Sequence, residues 1–378
     1  MKTLSFTFTI IVALTWLIWR LRLQPSQEIR SIDAIVPAYN EELCIAETVR
    51  GLLLNRYILN VIVVNDGSTD DTRKIIDELA AKHDRVIAVN QANTGKGGAL
   101  MAGVARAQSP HVLLTDADTI VPPEGDGLGY LLAEIERGAD VVGGIPASNL
   151  TGAGLLPHIR ATVKLPMIAV KRTFQQVLGG APFLISGACG LFRTEVLREM
   201  PFSDRTKVED LDMTWSLVAK GYKVRQSTRC IVYSQECNSL KAEWLRWRRW
   251  IIGYAVCMRL HRSLLFSRFG LFSILPMFLV VVLGIASYAF LAISIATADR
   301  LDQLHLAVFP LVWLLVSAVI SMVSALHYRR ASLLLLAPTA IVYVLLAYSI
   351  WIVHGLKGLA TGKEPKRDKP TRYAHVVA

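Results

Sequence analysis

The sequence predicts an α/β domain, built on a parallel sheet covered on both faces and set between membrane-spanning helices. Three observations predict it. Short β-branched runs alternate with helical periods between Gln24 and about Arg268. Long uncharged runs crowd the C-terminal third, and another lies at the N-terminus. Only 19% of the 378 residues are charged and the mean hydropathy is +0.40, which excludes a disordered chain and disfavours a wholly soluble one. The net charge of +11 points to cytoplasmic faces, anionic headgroups and phosphates rather than to nucleic acid. Five scattered cysteines with no Cys-x-x-Cys pair argue against a disulfide framework and a structural zinc site, and predict free thiols on the reducing side of a membrane.

Residues 3–23 read as a retained anchor: Thr3 to Trp19 is uncharged, Arg20 and Arg22 follow, and no small-x-small cleavage site is present. The excess of positive charge after this span places the following domain in the cytoplasm. Residues 24–240 form the α/β unit, with strands expected at Ile32–Val36, Val61–Val64, Val86–Val89, Val112–Leu114 and Asp140–Val142. Residues 241–268 read as an amphipathic interfacial helix, with seven Lys/Arg against one acid and Trp244, Trp247 and Trp250 on one face. Residues 269–356 hold three apolar runs, Phe269 to Ala298, Gln303 to Tyr328 and Ala331 to Leu356, each long enough to cross a bilayer. Residues 357–378 are a basic tail. A single crossing by the last run would leave that tail outside, whereas a re-entrant hairpin bent at Pro338 would return it to the cytoplasm.

In such sheets ligands bind where the strands end. The first two strands end in Pro37-Ala38-Tyr39-Asn40-Glu41-Glu42 and Asn65-Asp66-Gly67-Ser68-Thr69-Asp70. These are ordinary turn and cap residues, yet together they set a ring that can stack on a nucleobase beside Asp66, which can accept from a base N–H. Gly95-Lys96-Gly97-Gly98 opens a helix after the third strand and suits a phosphate, although it is not a Walker motif. The fourth strand ends in Asp116-Ala117-Asp118. Strand alternation sends both carboxylates to one side, where they can hold a divalent cation, Mg²⁺ or Mn²⁺, or form a solvated strand end. Glu209-Asp210-Leu211-Asp212 precedes an apolar helix; these acids are either dipole partners or the source of a general base. Arg248 and Arg249 can reach a diphosphate, and Trp250 can stack on a sugar.

In this order the segments resemble the membrane-integrated family 2 glycosyltransferases with a GT-A domain, of the poly-N-acetylglucosamine, hyaluronan and chitin-oligosaccharide synthase type. The resemblance rests on Pro37 to Glu42, Asn65 to Asp70, Gly95 to Gly97, Asp116 to Asp118, Ser186-Gly187-Ala188-Cys189-Gly190 and Glu209-Asp210. It implies a GT-A (Rossmann-like) nucleotide-sugar fold. It implies that Tyr39, Glu41 and Asp66 hold the uridine of a UDP-sugar, with Lys96 and Asp116 continuing the donor site. Asp118 would carry most of the metal contact, Ser186 to Gly190 would line the acceptor channel, and Asp210 would be the base, with Glu209 beside it. The chain departs from the family at three places. Arg246 replaces the Gln of Gln-x-x-Arg-Trp, though Arg249 and Trp250 are retained. Val208 replaces the Thr of Thr-Glu-Asp, and Pro370 stands where the tail motif ending in Thr371-Arg372 has Trp. By the resemblance, Arg372 faces the active site.

The leading expectation is an inverting, metal-dependent hexosyltransferase at the cytoplasmic face of the plasma membrane. It would pass a sugar, N-acetylglucosamine first among the candidates, from UDP to a growing saccharide. Membrane lipids are further partners, and there is room for an accessory membrane subunit. Transfer of one sugar to a polyprenyl phosphate is the alternative, and a non-catalytic nucleotide-sugar-binding subunit is a third reading.

Overall fold

The computed structural model describes residues 24–297, 308–364 and 372–373. The expected anchor and the tail positions Lys366, Arg367, Lys369, Pro370 and Thr371 lie outside the described residues. One eight-stranded sheet organises the domain: β1 Ile32–Ala38, β2 Ile58–Asp66, β3 Val86–Gln91, β4 His111–Leu114, β5 Thr119–Ile120, β6 Val141–Ser148, β7 Gly190–Arg193 and β8 Val224–Ser234. Their order is β3-β2-β1-β4-β7-β6-β8-β5. All five expected strands form, but the sheet is mixed rather than parallel. β7 runs antiparallel between β4 and β6, and β5 pairs antiparallel with β8. β7 is reached from β6 through a long helix, Leu155–Gly179, and the Ser186–Gly190 loop. β6 outruns its expected end because Gly143, Gly144 and Pro146 imitate strand breakers; a register shift between Gly143 and Ile145 absorbs them.

Of eight helices, the first seven each pack a face on the sheet and the eighth lies along a later helix. They are α1 Ile45–Leu54, α2 Thr72–Lys82, α3 Gly95–Val104, α4 Gly127–Glu136, α5 Leu155–Gly179, α6 Thr194–Glu199, α7 Glu209–Ala219 and α8 Leu240–Leu260. Ala34, Val36, Val61 and Val63 pack on one side with Ile45, Val49, Ile76 and Leu131. Their strand neighbours Ile35, Ile62 and Val64 pack on the other with Leu100, Val104, Leu211 and Trp215. The two-residue alternation of a strand thus feeds two cores, which is why β1 and β2 read as continuous apolar runs. All five cysteines are free and buried.

Beyond α8 lie a turn of π-helix at Gly270–Ile274, α9 Leu275–Thr297, α10 Val308–Tyr328, α11 Ser332–Leu335 and α12 Ala337–Thr361. Leu311–Tyr328 and Ala337–Gly355 are long and apolar enough to fit transmembrane helices. Pro338 does not bend the last run. It sits in the first turn of α12, where its missing N–H costs nothing, so the helix is continuous. α12 runs alongside α8: Tyr343 meets Trp247, Trp351 meets Tyr254, and a Cβ on Gly358 would lie 3.1 Å from the Ile252 backbone. Both ends of α12 rest on the α/β domain. Leu333, just before it, packs with Leu150 and Ala161, and Glu364, just after it, accepts from Thr206 Oγ1 at 2.6 Å and Lys207 N at 2.8 Å. The 25-residue α5 lay inside the domain boundary with no helix assigned to it; it exposes Met167, Val170, Phe174 and Val177 at helical spacing.

Candidate active site

The loops after β1 and β2 are stitched together. Asn40 Oδ1 accepts from Thr69 N at 2.7 Å, and Glu41 N donates to Thr72 Oγ1 at 2.7 Å. Gly67 adopts φ +73°, and a Cβ there would meet Asn93 N at 2.8 Å, so only glycine fits this crossing. Tyr39 is exposed at the rim. Asp66, at the end of β2, is buried and serves the structure itself. Its carboxylate accepts from Gln91 Nε2 at 2.8 Å, Thr94 N at 2.8 Å and Gly95 N at 2.9 Å. It thereby caps the glycine-rich start of α3.

That cap aims Lys96 inward. Lys96 Nζ lies 2.5 Å from Asp116 Oδ1 and 3.6 Å from Glu209 Oε1, bridging the end of β4 to the start of α7. Asp210 follows Glu209, and its Oδ2 accepts from Gly187 N at 3.2 Å. Lys96, Ser186, Gly187, Glu209, Asp210 and Phe202 line one narrow cleft. A Cβ on Gly187 would sit 2.6 Å from Lys96 Nζ, so any larger residue here would displace the ammonium. Burial raises the Asp210 pKa above the ordinary aspartate range and the adjacent Glu209 charge adds to it, while Lys96 and the Gly187 N–H pull it back. Asp212 faces elsewhere. It holds His261 at 2.7 Å and Arg205 at 2.9 Å, and these partners outweigh burial and lower its pKa.

Arg372 enters from the tail. Its Nε and Nη2 donate to Glu41 at 2.9 and 3.1 Å, while Nη1 pairs with Asp118 Oδ2. Tyr373 N donates to Gln235 Oε1 at 3.4 Å, and the Gln235 side chain donates back to the Tyr373 carbonyl at 2.5 Å. Burial pushes the Asp118 carboxyl up to about 6 against the pull of Arg372, with Asp116 and Glu41 adding to the rise. Asp116 and Asp118 therefore feel each other's charge, and both carry a cation here. Their all-oxygen chemistry suits Mg²⁺ or Mn²⁺. Among the described residues no third carboxylate, His or Cys joins them, so a ligand's phosphates would have to complete the coordination.

Residues 33–200 match the family described as Glycosyl transferase family 2. The uncharacterized glycosyltransferase YaiP of Escherichia coli (strain K12) is 60% identical over 378 residues, 100% of this chain and 95% of that one. The chain belongs to glycosyltransferase family 2. This transferase is also 27% identical over 232 residues, 60% of its length, to a poly-beta-1,6-N-acetyl-D-glucosamine synthase of Staphylococcus epidermidis, and the match spans 55% of that relative. Its GT-A fold is that of the mannosyltransferase PcManGT from Pyrobaculum calidifontis, solved in complex with GDP-Man and Mn²⁺ (TM-score 0.55, 17% identity, 90% of this chain and 98% of that one).

On α8 the expected donor-site side chains Arg249 and Trp250 have partners within the protein. Arg249 Nη1 donates to the Lys207 carbonyl at 3.3 Å, close to the start of α7. Trp250 has the guanidinium carbons of Arg246 and Arg160 at 5.3 and 5.5 Å from its ring centroid, and Trp247 packs edge-on against it at 5.6 Å. Those guanidiniums belong to a buried network. Arg160 Nη1 reaches Glu243 at 2.7 Å and Glu236 at 3.2 Å, Lys164 reaches Glu236 at 2.6 Å, and Arg246 reaches Glu236 at 2.8 Å and also Glu243. Tyr343 of α12 donates to Glu243 at 2.6 Å. Gln235, Glu236, Arg160 and Lys164 escaped the sequence reading. They sit on α5 and just past β8, two elements whose polar-apolar pattern carried no motif.

Proposed function

We propose that this transferase moves a sugar, N-acetylglucosamine first among the candidates, from a UDP-sugar to a saccharide acceptor at the cytoplasmic membrane face, with inversion. The observation that carries the reading is the cleft where Asp210, Lys96 and Asp116 meet beside the Ser186–Gly190 loop. A donor laid across the strand ends places its diphosphate over Asp116 and Asp118 and its anomeric carbon toward Asp210. Asp210, its pKa raised by burial, takes the proton of the acceptor hydroxyl, which attacks opposite the leaving diphosphate. Lys96 and Arg249 offset the charge that grows on that diphosphate. Asp118 and Asp116 would hold the divalent cation, which when bound supplies further neutralisation of the leaving group. The relative named as a poly-β-1,6-N-acetylglucosamine synthase supports the choice of sugar.

A second reading, one sugar added to a polyprenyl phosphate, is favoured by Arg246. The glutamine of the polymer-forming pattern is replaced by an arginine locked into ion pairs. The test is UDP release and product sizing with the chain in nanodiscs, using a panel of UDP-sugars with Mn²⁺ or Mg²⁺ and a chelated control. A saccharide ladder supports the first reading and a single-sugar lipid the second. Full turnover in excess chelator would remove the metal, and silence with every UDP-sugar would remove the donor class.

A further inference from the structure

We infer that Arg372 is the resident counter-ion of the metal carboxylates, and that it exchanges with the divalent cation when the donor site loads. The inference rests on the proposed metal role of Asp118 and adds an order of events to it. Asp118 and Glu41 are both at least nine-tenths buried. Two carboxylates so placed without a cation would carry a large desolvation cost. Arg372 removes that cost with all three guanidinium nitrogens, Nε and Nη2 on Glu41 and Nη1 on Asp118. The backbone of Tyr373 is held by both ends of the Gln235 amide, one residue past β8, whose Ser234 and Tyr233 pair with the strand that follows Asp118. The strap is therefore docked at a defined place.

A divalent cation on Asp118 and the Nη1 arm of Arg372 are like charges aimed at one carboxylate, so they repel and compete for it. The bidentate grip on Glu41 is independent of Asp118. When the cation arrives, Arg372 pivots on Glu41, releases Asp118 and presents Nη1 to the incoming diphosphate, a geometry that suits guanidinium. Arg372 thus opposes the metal in the empty site and assists the nucleotide in the loaded one.

The two roles predict opposite signs. Mn²⁺ binding to the full-length chain in nanodiscs, without nucleotide, is followed by electron paramagnetic resonance of the free ion. Arg372→Ala should bind Mn²⁺ at least about fivefold more tightly than the parent, because its competitor is gone, and Arg372→Lys should fall between. Gln235→Ala, which loosens the strap and leaves the ion pairs intact, should shift affinity the same way by less. UDP affinity measured with saturating Mn²⁺ should instead fall in Arg372→Ala. Unchanged or weaker Mn²⁺ binding in both Arg372→Ala and Gln235→Ala overturns the exchange. If Asp118→Asn binds Mn²⁺ like the parent, the metal role of Asp118 itself is wrong.

Discussion

Asp210 combines three properties: it sits at a helix start, beside another carboxylate, and under a loop whose Gly187 N–H it accepts from. Removing its charge should separate chemistry from binding. Asp210→Asn is expected to lower turnover by about 10² to 10⁴ while UDP affinity is kept. Because its pKa is raised, the proposed base is lost by protonation at a higher pH than for an ordinary aspartate. The acid limb of kcat/KM should therefore lie above the usual aspartate range and vanish in the variant. Gly187→Ala tests the fit differently. The added methyl meets only the mobile tip of Lys96, so thermal unfolding should barely change, yet Lys96 must leave Asp116. A fall in turnover of about 10- to 100-fold is expected, since small misplacements of charged groups carry that penalty.

The elements differ in how openly the sequence announces them. β1 to β4 were legible because apolar runs buried on both faces need no long-range partner to be recognised, and the residues after them stood out as strand ends. β7 and β8 were not, because Gly190-Leu191-Phe192-Arg193 and the polar-rich Val224–Ser234 gain their strand character from neighbours far along the chain. The roles of Glu236 and Glu243 were illegible for the same reason: each acquires meaning only when α5, α8 and α12 converge. Glu243 accepts from Arg160, Trp247 and Tyr343 and pairs with Arg246 while almost fully buried. Glu243→Ala would leave Arg160 and Arg246 to Glu236 alone and remove an acceptor of Trp247 and Tyr343, and should cost about 3–5 kcal/mol of stability, read as a lowered unfolding temperature in detergent.

At the scale of the whole molecule, α12 decides where the tail lies. Both of its ends rest on the catalytic domain, and Glu364 and Arg372 are bound there. Trypsin added to sealed vesicles should therefore cut after Lys363 only from the side on which the catalytic domain is digested. Cleavage from the opposite side would contradict the contacts of Glu364. Of the two routes the positive-inside argument left open, the hairpin bent at Pro338 does not form, and a continuous helix lies along α8. Nothing local in Ala331 to Leu356 distinguishes a helix crossing lipid from one resting on another helix.

The buried cysteines give this transferase an experimental convenience. Alkylating reagents attack the thiolate, and burial disfavours that form, pushing Cys237 up to about 12. Cys189 and Cys230 face each other inside the domain at 3.8 Å, and Cys44 lies beneath the Tyr373 carbonyl. In the folded protein all five should stay silent toward maleimides near neutral pH, whereas unfolding should expose them together. One engineered surface thiol could then be read against a dark background without first stripping the native five, and the appearance of native signal would mark loss of the fold.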